Sequence, residues 1–254
     1  MRALRVHELS EDISVLRMDE VELPPPGEGE VRLGLKACSI NFPDILMVQG
    51  KYQFKPELPF SPGMEGAGVV LEVGPGVTSL KPGDEVVAGL RVGGFAEEVN
   101  AQASACRPIP KGMDFIKAAA YPAAYLTAYV ALVIRGNLQK GETLLVHGAT
   151  GGVGMAAVDV GKLLGATVIA TSASDEKLDA VKKRGADYTL NVTEGFKDKV
   201  KELTDGRGAD VIYDPVGGDV FDESVRCIAW NGRLLIIGFT SGRIPSVPVN
   251  MPLI

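Results

Sequence analysis

The sequence predicts an α/β protein built in two parts, a β-rich domain over residues 1–124 and a doubly wound parallel-sheet domain over residues 125–254. Three observations predict it. The first half carries short strand-like runs broken by Pro and Gly, the second alternates buried strands with amphipathic helices, and a glycine cluster stands at the first strand-to-helix junction of that second half.

Composition sets the class. Of 254 residues, 46% are hydrophobic and 23% charged, as in globular proteins. A net charge of −6 and the lack of any Lys/Arg run leave no footprint for nucleic acid. The three cysteines, Cys38, Cys106 and Cys227, are odd in number and form no CxxC pair. They suit a reducing, cytoplasmic setting, each as a small buried hydrophobe. The start "MRALRVHELSED" meets charges too early for a signal peptide. No apolar run approaches ~20 residues, so no membrane span is expected.

In the first half, "VRLGLKACSI", "AGVVLEVG" and "DEVVAG" read as strands, separated by "ELPPPGEGE" and "GPGVTSLKPGD". A helix is expected to start near Pro43, whose missing amide costs nothing in a first turn, with Ile45, Leu46 and Val48 facing inward. The domain boundary falls at 124–125, inside the helical bridge "YPAAYLTAYVALV".

From there the strands are "TLLVHG", "ATVIATS", "DYTLNV", "ADVIYDPVG" and "GRLLIIGF". The helices between them are "MAAVDVGKLLG", "DEKLDAVKKRG", "FKDKVKEL" and "DVFDESVRCIAW", with Gly165 and Gly185 where helices should stop. Apolar strands alternating with such helices indicate a parallel sheet covered on both faces.

The stretch "LLVHGATGGVGMAAV" is the glycine junction. There a backbone free of side chains can approach a pyrophosphate, and the helix offers unpaired N–H groups at its positive end. Ala149 takes the place of the first glycine of GxGxxG, while Gly151 and Gly154 match the second and third. The strand-loop-helix setting makes a dinucleotide the expected ligand.

An acid at the end of the second strand would bind the ribose diol of NAD. Here the strand end reads "TSASDEK". Asp175 and Glu176 come later, in the first turn of a helix capped by Ser174, which explains them structurally. Lys177 is either solvated or reaches a 2′-phosphate beside Ser172 and Ser174. The reading favours the phosphate, hence NADPH.

The chain resembles the medium-chain dehydrogenase/reductase superfamily and, within it, the zinc-free quinone oxidoreductases of the zeta-crystallin-like branch. The resemblance is carried by "INFPDILMVQGKY", "PFSPGMEGAGVVLEVGPGV", "LKPGDEVV", "GGFAEEV", "HGATGGVG", "DPVGG" and "FTSGRIPSVPVNMPLI". It implies a GroES-like substrate domain followed by a Rossmann NADP-binding domain. Zinc-dependent members carry a ligating Cys, a His and a second Cys or its equivalent where this chain has Asn41, Met64 and Ala123. Asn and Ala lack the donor and Met is a poor choice for Zn²⁺, so no metal is expected. Glu65 remains, but one carboxylate is not a site. His7 and His147 read as structural.

Without a Lewis acid to stabilise an alkoxide, the feasible chemistry is hydride transfer from NADPH to a quinone or activated enone. The resemblance implies a dry cleft between the domains lined by Asn41, Asp44, Tyr52 and Thr127. Asn41 and Tyr52 would offer donors to a quinone carbonyl; Asp44 has the competing reading of a first-turn helix acid, Tyr52 of a half-buried packing residue, and Thr127 of a hydroxyl bonded within its own helix. The cofactor would be held by Thr150, Gly151, Gly152, Val153, Gly154, Ser172, Ser174, Lys177, Gly238, Phe239 and Thr240. Two departures stand out. Val192 replaces the aromatic or His often found beside the adenosine phosphate, and family members run on beyond "NMPLI". That puts cofactor affinity, and the homodimer the resemblance implies, in question. The alternatives are an NADPH-binding structural or regulatory protein with little turnover, and an enoyl-thioester reductase.

Overall fold

The punctuated first half folds as two antiparallel sheets. The structure is a computed structural model and describes residues 1–248 and 250, so the end of the "FTSGRIPSVPVNMPLI" motif, 249 and 251–254, lies outside the described residues. Contacts divide the chain into two units, Met1–Ala123 and Ala124–Ile254.

In the first unit, β1 (Arg2–Arg5) pairs with β2 (Arg17–Glu20). A five-stranded sheet takes β3 (Glu30–Cys38), β4 (Glu65–Val73), β5 (Glu85–Gly89), β6 (Glu98–Gln102) and β7 (Cys106–Pro108) in the order β6-β3-β4-β5-β7. Val31, Leu33, Val70, Val86 and Val99 meet in its core. Burying each such side chain stabilises the fold by roughly 1.5–3 kcal/mol. Strand alternation corrects one expectation. Cys106 and Cys227 are buried, but Cys38 is exposed, because even-numbered residues of β3 face away from the Val31–Leu33 core.

Helix α1 (Phe42–Val48) starts with Asn41 as N-cap and Pro43 in its first turn. It buries Met47 and Val48 against Val6 and Phe60, whereas Ile45 and Leu46, expected inside, are only half-buried.

A helical stretch then runs from Phe115 to Arg135: α2 (Phe115–Tyr121), a π segment at Pro122–Leu126, α3 (Thr127–Tyr129) and a second π segment at Val130–Arg135. Pro122 has no N–H for the α-helical bond, and the helix widens at that point. These 21 residues, with a mean hydropathy of 1.3, are by length and composition able to cross a membrane, and 28% of the window is buried. That corrects the expectation that no apolar run nears such a length. The charged residues of the run, Lys117 and Arg135, lie toward its ends.

The second unit is a five-stranded parallel sheet, order β10-β9-β8-β11-β12. Its strands are β8 (Thr143–Val146), β9 (Thr167–Ser172), β10 (Tyr188–Asn191), β11 (Ala209–Asp214) and β12 (Ile228–Ile236). Helices α4 (Gly152–Leu163), α5 (Asp175–Lys183), α6 (Lys197–Leu203) and α7 (Gly218–Ser224) alternate with them. The strand order reverses between β8 and β11, where open α/β sheets bind ligands at their carboxyl ends. Gly165 and Gly185 follow the α4 and α5 caps at φ +81° and +113°, as helix-ending glycines do.

One boundary differs. The helix expected over "DVFDESVRCIAW" ends at Ser224, and Ile228–Trp230 already belong to β12. The Cys227 carbonyl accepts from Ala209 N–H at 2.8 Å, so the ladder with β11 claims these apolar residues.

Candidate functional site

The glycine junction forms where β8 ends. Ala149 N–H donates to Thr171 O at 3.0 Å, tying the loop to β9, and Gly151 N–H closes a turn on Gly148 O at 3.0 Å. Gly151 is the N-cap of α4, and no side chain caps the first amides. The glycines divide by role. A Cβ on Gly154 would lie 2.3 Å from Gly148 O and 2.8 Å from Ala149 Cα, so only glycine lets the helix pack this closely. A Cβ on Gly152 would meet nothing within 4 Å, and Gly151 is equally exposed. The helix thus presents uncapped N–H groups with open space above Gly152, a geometry and dipole that suit an anion. Val153 lies in its first turn.

Thr150 and Ser172 bring loop and second strand together, their hydroxyls 3.3 Å apart. Ser172 Oγ accepts from Ser174 N–H at 3.3 Å, and Ser174 caps α5 by accepting from Lys177 N–H at 3.4 Å. Asp175 accepts from Asn191 Nδ2 at 3.0 Å. The Lys177 side chain is exposed and makes no ion pair among the described residues. Val192 packs on the Phe196 cluster, offering no polar contact.

Gly238, Phe239 and Thr240 follow β12 and reach this edge through a joint that sequence reading did not assign to the site. Gly238 and Thr240 N–H groups donate to Asp214 O and Pro215 O at 3.4 and 3.1 Å. The absent Cβ of Gly148 would lie 3.3 Å from Val216 and 3.4 Å from Pro215. Asp214 Oδ1 folds this joint by accepting from Val216 and Gly217 N–H at 2.8 and 3.0 Å. Its Oδ2 is buried without a partner, and burial pushes its carboxyl pKa up. The signal in the sequence was an Asp three residues before a Gly pair at a strand end, a local turn pattern.

His147 lies beneath the loop, fully buried. Nε2 is 2.8 Å from Ser224 Oγ and Nδ1 2.8 Å from Thr171 Oγ1. Ser224 spends its hydroxyl hydrogen on Val220 O at 2.7 Å, so Nε2 carries the proton and Nδ1 accepts from Thr171. Burial holds this imidazole neutral, its pKa pushed down to about 3. The ring ties β8, β9 and α7 together.

In the first unit, the structure brings Asn41, Asp44 and Glu65 close. Asp44 is buried, with Oδ2 accepting from Asn41 N–H at 2.8 Å and Oδ1 from Gly63 N–H at 3.0 Å. Burial pushes its pKa up, against those bonds. Both oxygens serve the backbone, the helix-acid role, rather than facing a ligand. Asn41 Nδ2 donates to Ser39 Oγ at 2.9 Å and Glu65 Oε1 at 2.8 Å, which removes the free donor that sequence reading gave it. Tyr52 packs half-buried against the Val6–Phe60 cluster, and its hydroxyl has no partner among the described residues. Thr127, in the second unit, is half-buried at the start of α3.

The donors at the zinc positions do not fit zinc. Asn41 is committed to Glu65, Met64 packs in the Val6 cluster, and Ala123 has no side-chain donor. Among the described residues no three His, Cys, Asp or Glu stand together.

Comparison with known proteins places the chain. Residues 27–111 match the family described as alcohol dehydrogenase GroES-like domain, and residues 152–254 that described as zinc-binding dehydrogenase. A quinone oxidoreductase-like protein 2 homolog of Nematostella vectensis is 48% identical over 257 residues, covering 100% of this chain and 69% of the relative. The Escherichia coli quinone oxidoreductase, solved with NADPH, is 32% identical with a TM-score of 0.92, over 99% of this chain and 77% of that one. A mycobacterial protein solved with NADPH is 36% identical, TM-score 0.92, over 99% and 78%. With the GroES-like and Rossmann-like units both matched and the glycine junction in place, the chain belongs to the quinone oxidoreductase-like branch of the medium-chain dehydrogenase/reductase superfamily.

Proposed function

We propose that the chain transfers hydride from NADPH to a quinone or an activated enone. The observation that carries this reading is the open helix N-terminus of α4 beside the hydroxyls at the end of β9, with Lys177, which makes no ion pair among the described residues, in the first turn of α5. The first suits a pyrophosphate and the second a 2′-phosphate. The NADPH complexes of the two similar structures support the cofactor choice. When bound, NADPH supplies the hydride.

The chain's residues bind and orient. Thr150 and the Gly151–Gly154 turn would hold the pyrophosphate, Ser172, Ser174 and Lys177 the adenosine phosphate, and Gly238, Phe239 and Thr240 complete the cofactor contacts. The free Tyr52 hydroxyl would donate to the acceptor's carbonyl. Asn41 would complete the acceptor's surroundings in the first unit, with Asp44 shaping the turn that carries it.

The test titrates NADPH and NADH into the purified chain and then offers benzoquinone, phenanthrenequinone and crotonyl-CoA. NADPH oxidation by the quinones is the expected result. Oxidation by crotonyl-CoA alone would make the chain an enoyl-thioester reductase, and tight binding without turnover a regulatory protein. Lys177→Ala should weaken NADPH about tenfold and leave NADH nearly unchanged, the lower range for a charged hydrogen bond at an open site. Equal weakening of both would point to a folding defect, and no change would return Lys177 to solvent.

The donor chemistry at residues 41, 64 and 123 leads to a second expectation: elemental analysis finds no stoichiometric zinc, and chelators leave activity unchanged. One tightly held metal per chain would overturn it.

A further inference from the structure

Asn41 and the Ala123 amide are joined by one buried carboxylate. Glu65, at the start of β4, is 1% exposed. Its Oε1 accepts from Asn41 Nδ2 at 2.8 Å and from the Ser39 hydroxyl, and its Oε2 accepts from Ala123 N–H at 2.7 Å. The other Nδ2 hydrogen of Asn41 goes to Ser39 Oγ at 2.9 Å. Ser39 has one hydroxyl hydrogen and gives it to Glu65, so toward Asn41 it can only accept. The orientation of the amide follows. Flipped, its oxygen would face two acceptors with no hydrogen between them.

A primary amide has two N–H hydrogens, and both are spent inside the unit. What Asn41 has left to offer is its oxygen, one lone pair of which faces the Asp44 N–H in the capping box of α1 while the other is unspent. We propose that Glu65 is a positioning residue that fixes the Asn41 amide with its hydrogens turned inward, so that Asn41 meets a ligand as a hydrogen-bond acceptor. Asn41 then selects an O–H or N–H on the ligand, such as a quinol hydroxyl, and leaves the carbonyl of an oxidised quinone to Tyr52. The inference rests on the reading of Asn41 as ligand-facing given under the proposed function.

Selective ¹⁵N-asparagine labelling of the full chain reads the Asn41 side-chain amide whether or not the protein turns over. In the parent its hydrogens should exchange at least about tenfold more slowly than free side-chain amides, and Glu65→Gln should remove that protection. In quinone assays, Glu65→Gln and Asn41→Ala should each weaken inhibition by the quinol about fivefold with a smaller change in KM for the quinone, and the double variant should lose no more than either single one. If Glu65→Gln does not fold, Ser39→Ala removes one holding acceptor and carries the same comparison. Free-amide exchange in the parent, or losses that multiply in the double variant, would overturn the proposal. Slow exchange in a protein that no acceptor oxidises would sustain the positioning role and refute the functional reading instead.

Discussion

Gly154→Ala is expected to lower the unfolding free energy of the second unit by about 3 kcal/mol, the upper range for an added methylene in a packed interior. The new Cβ would lie 2.3 Å from Gly148 O and 2.8 Å from Ala149 Cα, both backbone atoms that cannot rotate away. Either the loop or the helix must move, and the junction that presents the α4 amides moves with it. Gly152→Ala is the matched comparison. Its Cβ meets nothing within 4 Å, so stability should change little. The same methyl would stand where a pyrophosphate is proposed to sit, and NADPH affinity should fall. Urea unfolding and NADPH titration of both variants separate the two roles. A Gly154→Ala protein as stable as the parent would refute the packing account; a Gly152→Ala protein that binds NADPH undiminished would move the pyrophosphate elsewhere.

Acid should destabilise the second unit through His147. In the folded chain its pKa is pushed down to about 3 from the ordinary 6.5, so below 6.5 the unfolded chain takes up a proton that the folded one refuses. Stability is therefore complete above pH 6.5 and falls as pH drops toward 3, by about 1.4 kcal/mol per unit from this group alone. Asp214, with its pKa raised by burial, acts in the opposite sense, its contribution being lost as pH rises. His147→Gln isolates the imidazole. Glutamine can accept from Thr171 and donate to Ser224 yet cannot take a proton. Between pH 6.5 and 4.5 the parent should lose about 2–3 kcal/mol more than His147→Gln, read from urea midpoints. Equal losses would assign the acid sensitivity to other groups.

The sequence alone determined the two-part architecture, the parallel sheet and the glycine junction. These rest on local rules: apolar runs between helical periods, Pro and Gly at turns, and a helix that must begin where side chains vanish. Ser174 as a cap and Gly165 as a helix stop were legible for the same reason, since each acts within a few residues of itself. The end of α7 was not, because "VRCIAW" suits helix and strand alike until the pairing of Ala209 with Ile228 decides. Nor was the exposed side of Cys38, which depends on which face of β3 meets the core. Long-range partners decided the chemistry of individual site residues. Asn41 reads as a donor in sequence, but Glu65, 24 positions away, takes one of its hydrogens. Asp44 reads either as a ligand-facing carboxylate or as a first-turn helix acid, and the Asn41 and Gly63 amides that claim its two oxygens decide for the second. His147 reads as structural, but which of its nitrogens carries the proton is set by Thr171 and Ser224, at separations of 24 and 77 residues. A residue's type sets which hydrogen bonds it can make; only the folded chain decides which of them are already used, because burial makes every unspent polar group costly and draws partners from wherever the backbone brings them.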